Sequence, residues 1–284
     1  MTGKLWCAGV SKHSFFVDPG AIRGDRAELV GAVAHQIRSV LRLRPGDTVD
    51  LLDNTGFLYV ARIAAVSKGG VVAELLEWRR SEAEPSVELV LYQALLKGQK
   101  MEWVLQKGTE IGINRFVPVL SERCVSRPSE AELERKRVRW ETIVREAAEQ
   151  SRRAIIPAVG GSRTLESACR DAAEADLALM AWEGERAVGI ARAVREAGVG
   201  GRGDGRPRVA LLIGPEGGFS PREAQAAKVA GVRIVGLGPR ILRAETAALV
   251  GATLVLCETG DLGGCATENV DLWHHLDTDR FRHR

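Results

Sequence analysis

The 284-residue chain has five cysteines, at positions 7, 124, 169, 257 and 265, and no two of them form a C-x-x-C pair or a regular framework. That spacing excludes a disulfide scaffold and a cysteine-built zinc site, and fits the reduced thiols of a cytoplasmic protein. Uninterrupted apolar runs long enough to span a bilayer are missing, as is a charged-then-apolar leader. The expectation is a cytoplasmic protein with no membrane association. Excess charge is missing as well. Lys and Arg number 40 against 37 Asp and Glu, a formal +3. This is too balanced for a basic nucleic-acid coat, although a local basic patch stays open. His274, His275 and His283 with Cys265 match no ligand spacing, so no metal is expected.

What is present divides the chain in two, as its length permits. Up to residue 80, short alternating runs (Thr48–Leu52, Phe57–Ile63, Val71–Leu76) are punctuated by turns such as Arg44-Pro45-Gly46-Asp47 and Lys68-Gly69-Gly70. This is the pattern of a small β-barrel, with one helical segment around Asp25 to Leu41. Residues 81–86 read as a linker. From 87 to 258 apolar strands alternate with helices, as in an α/β domain. Ser129-x-x-Glu132 predicts the cap of a long amphipathic helix ending near Arg153. Gly198 to Pro207 reads as a mobile surface loop, and 259–284 as a flexible tail.

Two glycine-rich turns carry the most information. The first, Ile213-Gly214-Pro215-Glu216-Gly217-Gly218-Phe219-Ser220, follows the apolar run Val209–Ile213. Such a run suits a strand buried on both faces. The Ser220-Pro221-Arg222-Glu223 that follows has the grammar of a capping box with proline at the first helical position. That helix should stop at Gly231. The second turn, Gly236-Leu237-Gly238-Pro239-Arg240-Ile241-Leu242-Arg243, follows Val232–Val235. It opens a helix with a small-residue face at Ala244, Ala247, Ala248, Gly251 and Ala252. Two such loops side by side can wall a pocket with backbone groups. Neither has the G-x-G-x-x-G of a dinucleotide site nor the lysine of a P-loop. Glu216 would repel a phosphate and suits a cationic or hydroxyl-bearing ligand.

The loop pair I-G-P-E-G-G-F-S and L-G-x-R-I-L-R-x-E-T-A resembles the AdoMet-binding loops of SPOUT methyltransferases, and more narrowly those of the RsmE family. The resemblance extends over roughly residues 10 to 258. It includes Gln93–Glu102, Gln106–Gly112, Glu149-Gln150-Ser151-Arg152-Arg153 and, in the first domain, His13–Val17 and His35 through Asp47. It implies an α/β fold: a C-terminal SPOUT-type domain with a trefoil knot, preceded by a PUA-like RNA-binding barrel. It further implies S-adenosyl-L-methionine as cofactor, a homodimer, and methylation of N3 of a uridine in 16S ribosomal RNA or the assembled small subunit. The cofactor loops report the donor more than the acceptor. A related SPOUT enzyme acting on another base or on ribose 2′-OH therefore stays open, as does a non-enzymatic RNA-binding module.

On this reading the cofactor is held by Gly214, Glu216, Gly217, Gly218, Leu237, Gly238, Ile241, Leu242, Arg243 and Thr246. The strand containing Leu179 supplies the first wall. Glu216 should meet a ribose hydroxyl or an arginine, and Thr246 should cap its helix. Trp182 and Glu183 depart from the family signature and leave the methionine-end contacts open. Transfer to N3 needs its proton removed or the developing charge on O2 and O4 stabilised. Arg152 and Arg153 are the leading catalytic candidates, with Arg243 next and Glu149 as proton acceptor. The helix dipole alone also accounts for arginines at that terminus. Arg23, Arg38, Arg42 and Arg44 are expected to contact RNA. Phe15, Phe16 or Tyr59 would stack on bases or else pack in the core.

Overall fold

The computed structural model describes residues 13–200 and 205–263. Cys7, Cys265, the three C-terminal histidines and most of the tail lie outside the described residues, as do positions 201–204. The first domain contains β1 (Ser14–Phe16), β2 (Ile22–Arg23), β3 (Arg26–Leu29), α1 (Gly31–His35), β4 (Thr48–Leu52), β5 (Phe57–Val66) and β6 (Val71–Arg80). These strands form one six-stranded sheet in the order β1-β4-β5-β6-β3-β2. Its core is built on Phe15, Ile37, Leu51 and Ile63. The helix expected from Asp25 is shorter than the sequence suggested. Arg26–Leu29 pairs antiparallel with β6 instead, turning Ala27 and Leu29 inward, because the two-residue alternation there buries a strand face.

The second domain follows as β7 (Glu88–Ala94), α2 (Lys100–Ile111), β8 (Arg115–Leu120), α3 (Glu130–Ser151), β9 (Ala158–Val159), β10 (Arg163–Thr164), α4 (Leu165–Ala172), β11 (Leu177–Ala181), α5 (Ile190–Ala197), β12 (Arg208–Ile213), α6 (Pro221–Val229), β13 (Arg233–Val235) and α7 (Ala244–Glu258). All its strand pairs are parallel, in the order β10-β8-β7-β12-β11-β13 with β9 beside β8. Apolar clusters cover both faces of this sheet, which is why its strands read as continuous hydrophobic runs.

Both capping boxes form. Ser129 and Ser220 accept from the amides of Glu132 and Glu223, whose side chains reach back to the cap. The small face of α7 lies against β12, where a Cβ on Gly251 would fall 2.9 Å from Leu211 Cδ2. No described helix is long and apolar enough to cross a membrane, and no described group of three or more His, Cys, Asp or Glu side chains could hold a metal.

Candidate active site

In a parallel sheet, ligands bind outside the carboxyl ends of the strands, where the βα loops gather. Here the loops after β11, β12 and β13 enclose one pocket, lined along them from Ala181 to Glu185, Ile213 to Phe219 and Leu237 to Leu242, with Ala244 and Ala247 of α7. Of the expected cofactor residues, Gly214, Glu216, Gly217, Gly218, Leu237, Gly238, Ile241 and Leu242 stand on this wall.

Three others do not. Leu179 is fully buried in the middle of β11, and the wall begins two residues later, because a strand covered on both faces opens only at its end. Arg243 is the N-cap of α7 and uses its carbonyl to accept from Ala247 N. Thr246 therefore sits inside the helix and caps nothing. The motif's other arginine, Arg240, lines the pocket instead.

The glycines of the first loop are required by the protein's own packing. Gly218 has φ +65°, and a Cβ there would lie 2.6 Å from Glu183 Oε1. A Cβ on Gly217 would lie 3.1 Å from Arg123 Cβ, and Arg123 Nη1 donates to Gly217 O at 3.0 Å. Arg123 belongs to the loop after β8, whose neighbouring residue Glu122 is bound to both ends of the α6 cap. Its amide donates to Glu223 Oε1, and its carboxylate accepts from Ser220 Oγ, both at 2.8 Å. The sequence reading missed this brace, since residues 121–124 carry no motif grammar of their own.

Glu216 meets lysines, not an arginine. It accepts from the Lys97 amide at 3.1 Å and lies 3.5 Å from Lys100 Nζ, which also reaches Glu245 at 3.4 Å. Burial pushes the Glu216 carboxyl up, but the Lys97 amide and Lys100 outweigh it and leave it below the ordinary carboxylate value. Lys100 thus ties the first loop to the start of α7. Buried Gln93 adds a further tie, donating to Gly214 O at 3.3 Å. Both residues come from the Gln93–Glu102 stretch.

The four catalytic candidates do not gather at the pocket. Arg153 is 2% exposed. Its guanidinium pairs with Glu84 at 2.8 Å and donates to Thr109 O and Ile113 O. This placement corrects the expectation of a catalytic Arg153: its donors hold the interdomain linker. Glu149 likewise faces the first domain, accepting from Phe16 N at 3.2 Å. Arg152 ends α3 in the left-handed conformation and acts on Asp50 of β4. A helix terminus rich in charge reads the same in sequence whether it meets a ligand or another domain.

Burial raises the Glu149 carboxyl, with the Phe16 amide and Arg145 opposing. A raised carboxyl contributes stability below its unfolded value of about 4.3 and loses it as pH rises through the folded value. Glu149→Gln can still accept from Phe16, so it should not lower the melting temperature at pH 7 and should keep methyl transfer within about twofold. A loss of turnover at unchanged stability would return Glu149 to the chemistry.

Of the expected RNA-contacting residues, Arg23, Arg42 and Arg44 are exposed, whereas Arg38 donates to Ser67 O and Lys68 O, both at 3.0 Å, and so pins a turn. Phe15 and Phe16 are packed, and Tyr59 donates to Asp53. The exposed aromatic of this domain is Trp78, 66% accessible and edge-on to Phe57.

The profile of an RNA methyltransferase domain matches residues 83–256, and that of an RNA methyltransferase PUA domain matches residues 31–76. Ribosomal RNA small subunit methyltransferase E of Mycobacterium bovis is 34% identical over 91% of this chain and 97% of its own length. The Bacillus subtilis protein of that name is 32% identical over 83% and 91%. Among solved structures, the Neisseria gonorrhoeae methyltransferase E with bound S-adenosyl methionine superposes with a TM-score of 0.69 at 30% identity, over 84% of this chain and 94% of that one. A Legionella pneumophila methyltransferase with bound SAM gives 0.75 at 29%, over 87% and 98%. With both domains matched and the shared loops closing one pocket, the chain belongs to the RNA methyltransferase family that includes ribosomal RNA small subunit methyltransferase E.

Proposed function

We propose that this protein methylates N3 of a uridine in small-subunit ribosomal RNA, using S-adenosyl-L-methionine. The observation that carries the reading is that the two glycine loops of the family resemblance enclose a single pocket at the carboxyl edge of the parallel sheet. The donor set fits that cofactor: glycine backbone, apolar Leu237, Ile241 and Leu242 for a flat base, and carboxylates suited to a cation. When bound, the cofactor supplies a methyl group already activated on a sulfonium. The protein's own residues then orient and exclude. Trp182 Nε1 donates to Phe219 O at 3.2 Å and holds two of the loops together. Arg240 supplies the cation that stabilises charge on the uracil oxygens as the N3 proton leaves.

A trefoil knot is part of the proposal. It is supported by the loop after β13 lying against the one before α5, where Gly236 N donates to Val188 O at 2.8 Å and Ile190 N to Gly236 O at 3.2 Å. A cytoplasmic homodimer acting on 16S RNA or the assembled subunit completes it. RNA reaches the first domain at Trp78, whose strand neighbour Arg80 pairs across to Phe57. Stacking of one base there is worth about 1–3 kcal/mol. Trp78→Ala should therefore raise the KM for RNA by about tenfold or more with unchanged affinity for AdoMet, and an unchanged KM would place the RNA elsewhere.

The deciding experiment is transfer from labelled AdoMet to small subunits of a strain lacking the enzyme, followed by nucleoside mass spectrometry. The expected product is 3-methyluridine. A different methylated nucleoside would move the acceptor to another base or to ribose, and absence of AdoMet binding would leave a non-enzymatic RNA-binding module.

A further inference from the structure

Three glutamates line the pocket, and two of them are already engaged. Glu216 is held by the Lys97 amide and Lys100. Glu185 accepts from the amides of Ala187 at 2.6 Å and Val188 at 3.1 Å, closing its own turn. Glu183 differs from both. Among the described residues it has no hydrogen-bond or ion-pair partner. Its position is nonetheless fixed, because the preceding residue is anchored twice: Trp182 N donates to Val235 O at 3.0 Å and its indole to Phe219 O. The carboxylate lies against the bare Cα of Gly218, where a Cβ would be 2.6 Å from one oxygen and 3.0 Å from the other. The left-handed glycine of the cofactor loop therefore makes room for a free negative charge on the pocket wall.

We propose that Glu183 recognises the positive charge that the methyl donor carries and its product lacks, so that it favours the loaded cofactor over S-adenosyl-homocysteine. This rests on the cofactor reading above. The two molecules share their adenosine, carboxylate and ammonium and differ in the sulfonium. A carboxylate placed for that centre loses its counter-charge when the methyl leaves. It therefore holds the donor and helps to release the product. Attraction between a solvent-reached pair of charges is modest, about three- to tenfold in affinity.

The test is calorimetric titration of wild type and Glu183→Gln with AdoMet, with S-adenosyl-homocysteine and with sinefungin, which carries an amine in place of the methylated sulfur. Wild type should prefer the two cationic ligands, and Glu183→Gln should lose about fivefold of that preference while binding S-adenosyl-homocysteine as before. Glu183→Asp should keep part of it, which guards against a misfolded glutamine variant. If Glu183 instead met the ammonium, all three ligands would weaken together and the ratio would not move, which overturns the proposal. Failure of wild type to bind any of the three would overturn the cofactor reading, and this inference with it.

Discussion

Gly218→Val is expected to lower AdoMet affinity by about a hundredfold or more. Two costs add in this one substitution. The left-handed backbone at φ +65° disfavours any L side chain by about 1–2 kcal/mol, and a β-branched one by more. The new Cβ also falls 2.6 Å from the Glu183 carboxylate, so the pocket wall must shift. Together these reach about 3 kcal/mol, or two orders of magnitude in affinity. Gly238→Ala is the control. Its φ of +106° imposes strain, but no heavy atom lies within 4 Å of the added Cβ, so its loss should be smaller. Gly217→Val should fall between them by displacing Arg123. Calorimetric titration of variants with native circular dichroism decides the matter. Near wild-type affinity in Gly218→Val would separate this loop from the cofactor.

Arg153→Ala should lower stability by about 3–5 kcal/mol, the range for removing one partner of a buried ion pair. The guanidinium is 2% exposed, and its removal strands the Glu84 carboxylate, itself 11% exposed, together with Thr109 O and Ile113 O. Glu84 Oε1 also accepts from the amides of Ala154 and Ile155, so the linker is fastened to the end of α3 at several points. For a chain of this size the melting temperature should fall by about 10 °C. Pairing Glu84→Gln with Arg153→Met should recover part of the loss, since no unpaired charge then remains. AdoMet affinity below the transition should stay near wild type. A selective loss of turnover without destabilisation would instead restore Arg153 to the catalytic centre.

Much of the second domain was legible because its signals are local. A strand buried on both faces shows as an apolar run, and a capping box shows as serine followed three residues later by glutamate. Glycine before a helix marks the loop that faces the ligand. Eight cofactor-wall positions followed from those loops. The failures share one cause. Arg152, Arg153 and Glu149 were read as site residues because charge had gathered at a helix end, but what α3 ends against is fixed by the first domain. Phe16 is buried with Leu52, Leu58, Ala148 and Ala154 at that junction, a cluster drawn from both domains. Arg26–Leu29 was read as helix because its partner strand lies more than forty residues away.

The amino-acid order by itself determined where the parallel strands run, which turns need glycine and where the capped helices begin, because each depends on a few adjacent residues. It also placed the cofactor loops. Which charge faces the ligand was decided only by the tertiary structure. Arg153 is spent on the linker and Glu216 on Lys100, while Arg240 and Glu183 reach the pocket. Those assignments arise from distances between segments up to about a hundred residues apart, where packing in three dimensions selects a partner that local sequence does not encode.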